Sequence, residues 1–235
     1  MKFRKRLVIG DIHGMYKKLL DVLKLSEFDN ELDLLIVIGD ICDRGDSSWE
    51  VAEYLLTIKN LIFIRGNHDD WFLNWANKSP YFDRFNWARL GGDTTMKSYD
   101  KHKMDNINKH RELYASSILY YIIGDKCFVH GGFGPEINIA AQANVGTCCW
   151  DRTLVEMQFK PITKLYKEGD KMALSDVPVR FKDGFKEVYI GHTPTTYFGY
   201  REPVMSAGII NVDTGCGKGG KLTILDIDSK EYWQC

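Results

Sequence analysis

Leu7-Val8-Ile9-Gly10-Asp11-Ile12-His13-Gly14 sets the pattern of this chain: a short apolar run stops at a carboxylate, and an imidazole follows two residues on. Four later runs end in the same way. Leu34-Leu35-Ile36-Val37-Ile38-Gly39 reaches Asp40, and Leu61-Ile62-Phe63-Ile64-Arg65-Gly66 reaches Asn67 and His68. Cys127-Phe128-Val129 reaches His130, and Val188-Tyr189-Ile190-Gly191 reaches His192. Runs this short, rich in β-branched and aromatic residues, read as buried strands. Open α/β sheets place their ligands at strand carboxyl ends. Four of the six histidines stand at these ends, so the strands are expected to converge on one polar site.

Between the first three runs the period changes from strand to helix. Tyr16–Leu25 carries apolar residues at helical spacing, as do Trp49, Ala52, Tyr54, Leu55 and Ile58. A β-α-β-α-β order over residues 5–65 implies parallel strands joined by right-handed crossovers. Residues 69–117 break the pattern: Trp71, Phe72, Trp75, Tyr81, Phe82, Phe85, Trp87 and Tyr99 crowd among scattered charges. This stretch is expected to be a helical insertion, or cap, with its own small core and a minority of its aromatics at the mouth of the site. His102 and His110, in its charged part, are expected to be solvated.

From Ser117 onward, Ile118–Ile123, Lys126–Val129, Glu187–Ile190, Ile209–Val212 and Leu222–Ile227 are divided by Gly and Asp turns, which predicts a second, more antiparallel sheet. Residues 151–186 are polar and irregular and are expected to form a long surface segment near the site. The glycine-rich Gly215–Lys221 lacks phosphate-loop spacing and reads as a hairpin turn. No repeat or linker divides the chain, so a single domain over 1–235 is expected.

Thirty-one basic against thirty-two acidic residues leave a formal charge of −1, which gives no global case for stable nucleic-acid or membrane binding. The basic start is followed by an apolar run too short for a secretory signal, and nothing approaches the ~18 apolar residues of a membrane span. Six cysteines show neither C-x-x-C pairing nor zinc-ribbon spacing, which fits reduced thiols in a cytoplasmic protein.

Asp, His and Asn at converging strand ends are the ligand types of a dinuclear metal centre. Such a centre needs one carboxylate facing both ions, and Asp40 is the candidate. Asp11 and His13 would complete one ion, and Asn67, His130 and His192 the other. Mixed imidazole, carboxylate and amide ligands suit manganese, with iron or zinc as alternatives, better than calcium. Two ions about 3.5–4 Å apart acidify a bridging water and neutralise phosphoryl oxygens, the chemistry of phosphoester hydrolysis.

Gly10-Asp11-Ile12-His13-Gly14, Gly39-Asp40-Ile41-Cys42-Asp43-Arg44-Gly45 and Arg65-Gly66-Asn67-His68-Asp69 resemble the three signature blocks of the phosphoprotein phosphatase family, G-D-x-H-G, G-D-x-x-D-R-G and G-N-H-E. His130-Gly131-Gly132 and Gly191-His192-Thr193-Pro194 resemble its later histidine blocks, and Asn211-Val212-Asp213-Thr214-Gly215 its closing hairpin. Leu90-Gly91-Gly92-Asp93-Thr94-Thr95 and Cys149-Trp150-Asp151-Arg152 are similar to the bacterial and phage branch typified by the bacteriophage lambda phosphatase. Two departures stand out: Asp69 replaces the usual Glu, and Gly132 follows His130-Gly131 where Ala or Asp is frequent.

The resemblance implies an α/β fold, a four-layer metallophosphatase (calcineurin-like) sandwich of two mixed β-sheets flanked by helices. It implies that His68 is the general acid, that Asp43 holds its imidazole, and that Arg44, Arg65 and Arg152 clamp phosphoryl oxygens. It further implies in-line attack by a hydroxide activated by two divalent ions. The expected activity is phosphomonoester hydrolysis, chiefly of serine/threonine phosphoproteins or phosphopeptides, with small phosphoesters as further substrates. Hydrolysis of diadenosine polyphosphates is the alternative; that sister branch typically lacks the acid Asp43 supplies here. A nuclease is disfavoured by Pro194, which stands where many relatives that cut nucleic acids have a second histidine, and an inactive binding module by the complete ligand set. Oligomeric state and physiological substrate are not read from the residues.

Overall fold

A computed structural model describes residues 3–80, 82–160 and 170–235. Tyr81 and part of the expected surface segment, 161–169, lie outside the described residues. The first sheet contains β1 (Arg6–Ile9), β2 (Leu34–Val37), β3 (Leu61–Phe63), β9 (Thr223–Asp226) and β10 (Tyr232–Gln234), in the order β10-β9-β1-β2-β3. Helices α1 (Tyr16–Leu25) and α2 (Ser48–Leu55) connect its parallel strands β1, β2 and β3, as the alternating periods require. The second sheet contains β4 (Tyr120–Ile123), β5 (Lys126–Val129), β6 (Glu187–Ile190), β7 (Val204–Ser206) and β8 (Ile209–Asn211), in the order β4-β5-β6-β8-β7.

Side-chain alternation explains why there are four layers. Leu7 and Ile9 pack with Leu19, Val22, Val51 and Leu55 of the covering helices. Val8 between them points the other way, into a core shared with Ile36, Phe128, Tyr189, Ile210 and Leu225. In β5 the roles repeat: Phe128 faces the other sheet, while Cys127 and Val129 pack with Ile139, Leu154 and Val155. The latter three come from α7 (Ile139–Gln142) and α9 (Thr153–Met157), with α8 (Val145–Trp150) between them. Strands buried on both faces read as unbroken apolar runs rather than alternating ones.

Two expectations are corrected here. The second sheet is antiparallel only at its flanks; β5, β6 and β8 are parallel, because helices on the outer face make the crossover from β5 to β6. The run Leu222–Ile227 joins the first sheet, where β9 lies antiparallel to β1, with Ile224 in the helix-side core and Leu225 between the sheets. Gly215–Lys221 is therefore a crossing between sheets and not a hairpin. It contains a 3₁₀ turn at Cys216–Lys218, and Gly215 bridges to Lys221.

After β3 come α3 (Asn67–Ala76), α4 (Arg84–Trp87), α5 (Asp93–Lys101) and α6 (Ile107–Ala115). Phe72, Trp75, Tyr99 and Tyr114 form an aromatic cluster there, continuous with the α1/α2 core. His110 is fully buried, against the expectation of a solvated side chain. It is held between Tyr99 Oη (2.8 Å) and Glu53 Oε1 (2.9 Å). Among the described residues no helix is long and apolar enough to cross a membrane.

Candidate metal centre and active site

The five strand-end runs all deliver their polar residues to one place, through backbone turns that ordinary residues avoid. His13, Asp40, Asp43, Arg44 and His192 all have positive φ, between 48° and 71°. Non-glycine residues held in this region cost of order 1–3 kcal/mol each and persist where surrounding structure fixes them, typically at functional sites. Close approach is fixed as well: a methyl group on Gly66 would overlap the Asp40 carboxylate.

Asp40 is the focus. Its Oδ1 accepts the His68 amide (2.9 Å), which leaves Oδ2 facing three imidazoles: His130 Nε2 at 3.5 Å, His13 Nε2 at 3.7 Å and His68 Nε2 at 4.0 Å. These separations are long for direct hydrogen bonds. They approach the spacing of ligands that share a cation, each about 2.0–2.2 Å from it. Asp11 Oδ2 stands 3.9 Å from His13 Nε2. Asn67 Oδ1 lies 3.1 Å from His130 Nε2 and 2.9 Å from His192 Nδ1. Asp40, His130 and His192 form one set of donors able to hold a cation, and His13 and Asp40 form a second with His68. The sequence reading placed Asp11 rather than His68 in the second set. Geometry brings both near, but the His68 ring is already committed to Asp43 through Nδ1 (2.6 Å).

The surroundings fit cation binding. His13 Nδ1 donates to the Cys42 carbonyl (2.9 Å) and His130 Nδ1 to the Ile38 carbonyl (2.8 Å). In that arrangement each ring directs its Nε2 toward Asp40, as metal-binding histidines do when a carbonyl fixes the other nitrogen. His192 Nε2 is buried and finds no hydrogen-bond partner among the described residues. Metal-free electrostatics show the same demand. Burial works against charge on His130, yet Asp40 and Asp11 raise it to about 10. Burial and then His130 lower His192 to about 3. Burial would raise Asp40, but His130 and His68 outweigh it and hold it well below the usual carboxylate range. Burial and Asp213 push Asp11 well up.

Several contacts that shape the site are not legible in the sequence. Asp213 is buried, stands near Asp11, and is lifted to about 6 by burial against the pull of the Gly215 amide. It too ends a strand-like run, Ile209-Ile210-Asn211-Val212. Asp69, one methylene shorter than the usual Glu, still gathers the backbone amides of Asp40 (2.7 Å), Gly66 (2.8 Å) and Ile41 (3.0 Å). Asp43 is fully buried. Besides His68 it accepts Trp87 Nε1 (2.8 Å) and Thr95 Oγ1 (2.6 Å). The Leu90–Thr95 block therefore has a mechanical meaning. Gly91, at φ 117°, lets its carbonyl accept the Arg44 amide (3.0 Å), Gly92 lies against the Trp87 indole, and Thr95 reaches Asp43.

The arginines divide. Arg44 donates from Nη1 to His13 Nε2 (2.5 Å) and from Nη2 to His68 Nε2 (3.0 Å), so its guanidinium spans the centre. Arg152 is exposed and borders the 180 Å³ cleft over the ligands. Arg65 does not reach the cleft, and its expected place in a phosphoryl clamp is corrected. Its guanidinium is tied to Ser117 Oγ (2.9 Å) and to the Ala115 and Ser117 carbonyls, where it anchors the approach to β4. The cleft is also bordered by Trp71, Trp150, Tyr197 and Lys218. Trp150 meets Trp71 and His192 edge-on.

Comparison with known proteins places this geometry. The calcineurin-like phosphoesterase profile matches residues 4–202. The chain is 26% identical to a symmetrical bis(5'-nucleosyl)-tetraphosphatase of Pseudomonas entomophila (strain L48), with 97% of this chain and 92% of that protein covered. It is 30% identical to the asymmetrical bis(5'-nucleosyl)-tetraphosphatase PrpE of Oceanobacillus iheyensis, with 96% and 89% covered. Among solved structures it resembles one described as a candidate diadenosine tetraphosphatase, with a TM-score of 0.66 at 18% identity over 98% of this chain and 92% of that one.

Proposed function

The chain belongs to the calcineurin-like phosphoesterase family, and on that premise we propose that it hydrolyses dinucleoside polyphosphates with two divalent ions. Two observations support this reading together. The relatives matched nearly end to end are dinucleoside tetraphosphatases. The ligand cluster is bordered by both aromatic rings and cations: Trp150 (36% exposed), Tyr197 (58% exposed), Arg44, Arg152 and Lys218. The second observation carries the proposal, because it is chemistry this chain itself presents. Bases stack on exposed rings, and phosphates pair with guanidinium and ammonium groups.

In this reading Asp11, His13 and Asp40 would hold one ion, and Asp40, Asn67, His130 and His192 the other, with manganese favoured and iron or zinc also suited to the donors. The ions, when bound, acidify water and draw on phosphoryl oxygens. The remaining work falls to the protein. Asp43, gripped by Trp87 and Thr95, fixes the His68 ring through Nδ1, which leaves Nε2 as the ring nitrogen to hand a proton to the departing oxygen. Arg44 orients phosphoryl oxygen between His13 and His68, and Arg152 approaches from the cleft rim.

The sequence favoured a serine/threonine protein phosphatase because Asp43 is present, and the relatives shift the balance to the dinucleotide alternative. The intact Asp43–His68 pair supports phosphomonoester hydrolysis as a second activity, since an acid matters most when the leaving alkoxide is poor. The test is turnover of diadenosine tetraphosphate, a phosphoserine peptide and p-nitrophenyl phosphate, side by side with excess Mn²⁺. The dinucleotide should give the largest kcat/KM. Rapid phosphopeptide turnover without dinucleotide cleavage would reverse the order of the two readings.

A further inference from the structure

A second depression of 690 Å³ adjoins the cleft and shares Lys218 with it. Thr196, beside the cleft residue Tyr197, lines it, as do Lys18, Arg201, Thr214 and Lys221. Four cationic side chains thus surround one trough, and no carboxylate side chain lines it. Several lysines elsewhere are neutralised: Lys59, Lys126, Lys171 and Lys230 sit on glutamates at 2.5–2.7 Å. Among the described residues, no carboxylate pairs with Lys18, Arg201, Lys218 or Lys221. Lys18 instead donates to the Gly220 carbonyl (2.6 Å), which ties α1 to the crossing loop, and Lys218 lies over the Tyr197 ring.

Unneutralised cations gathered in a concave surface hold a positive potential that draws extended anions. The trough and the cleft share Lys218, so one extended anion could lie across both. A small phosphomonoester is too short to use both.

We propose that this trough is the subsite for the far arm of the substrate, the phosphates and nucleoside beyond the bond that is cut, and that Arg201 and Lys221 select for an extended polyphosphate over a simple monoester. The inference rests on the dinucleotide reading but has its own test. Arg201 and Lys221 are exposed and lie outside the catalytic cleft, so the double variant Arg201→Ala/Lys221→Ala should fold and should turn over p-nitrophenyl phosphate like the parent. For diadenosine tetraphosphate, with Mn²⁺ in excess, KM should rise about tenfold or more, the scale of a lost charge-assisted contact, while kcat changes little. An unchanged KM, or an equal loss on both substrates, overturns the proposal. If the parent turns over p-nitrophenyl phosphate but not the dinucleotide, the functional reading falls, and the trough is then judged by inhibition. Diadenosine tetraphosphate should inhibit p-nitrophenyl phosphate turnover about tenfold more tightly in the parent than in the variant, and equal inhibition rejects the subsite.

Discussion

His68 stands between two regions built on different principles. On one side are the strand ends, where Asp11, His13, Asp40, His130 and His192 are positioned by backbone, through left-handed residues, close glycines and amides gathered by Asp69. On the other is the helical stretch, where the side chains of Trp87 and Thr95 hold the carboxylate of the acid's partner Asp43. The first region governs whether cations bind, and the second whether the leaving oxygen receives its proton. Substitutions on the two sides should therefore fail differently.

The largest effect is expected at the strand ends. Asp40→Asn removes the carboxylate common to both ligand sets and should lower turnover of every substrate by at least the ~10²–10⁴-fold lost with an acid catalyst. A loss confined to poor leaving groups would place Asp40 on the acid side instead. His68→Asn comes next. It should cost ~10²–10⁴-fold on an alkyl phosphate, far less on p-nitrophenyl phosphate, and leave the bound-metal content unchanged. If alkyl phosphate turnover keeps its parental kcat, His68 is not the acid.

Smaller effects follow on the helical side. Trp87→Phe and Thr95→Val each remove one donor from a buried carboxylate, a contact worth about 1.5–3 kcal/mol. The kcat on poor leaving groups should fall by about tenfold, while metal stoichiometry and KM hold. A drop in metal content would show that the two regions are not separable.

The gentlest prediction concerns pH. In metal-stripped protein, burial and Asp40 raise Asp69 to about 7, and the carboxylates raise His130 to about 10. Groups raised in the folded state contribute stability below their ordinary values and lose it as pH climbs through the folded ones. His192, lowered to about 3, has its effect below pH 6.5 and does not oppose this trend above it. The Tm of stripped protein should fall between pH 6.5 and 9, and Mn²⁺ should raise it more at the upper end, where protons compete less for the ligands. A Tm that rises with pH after stripping would refute the charge balance described.

Legibility in sequence follows the same division. Strand ends announce themselves locally: an apolar run, in four of the five cases a glycine, then a ligand. All six proposed ligands converge, and the rule applied once more would have found Asp213. The grip of Trp87 and Thr95 on Asp43 spans 44 and 52 residues. No local period encodes such a contact, so the aromatics there read as a core with a minority at the mouth of the site, and not as partners of Asp43. Arg65 misled because a motif position is not a direction; its side chain turns to Ser117 and away from the cleft. The glycine-rich crossing read as a hairpin because β8 and β9 are neighbours in sequence, while burial of Ile224 against the helices assigns β9 to the other sheet.

The central claim is best tested by counting metal ions on the purified chain by elemental analysis after equilibration with excess Mn²⁺. Two per chain are predicted, falling to one or none in Asp40→Asn and staying at two in His68→Asn. A single ion in the parent, or two in the Asp40 variant, would contradict a pair of cations joined through that carboxylate.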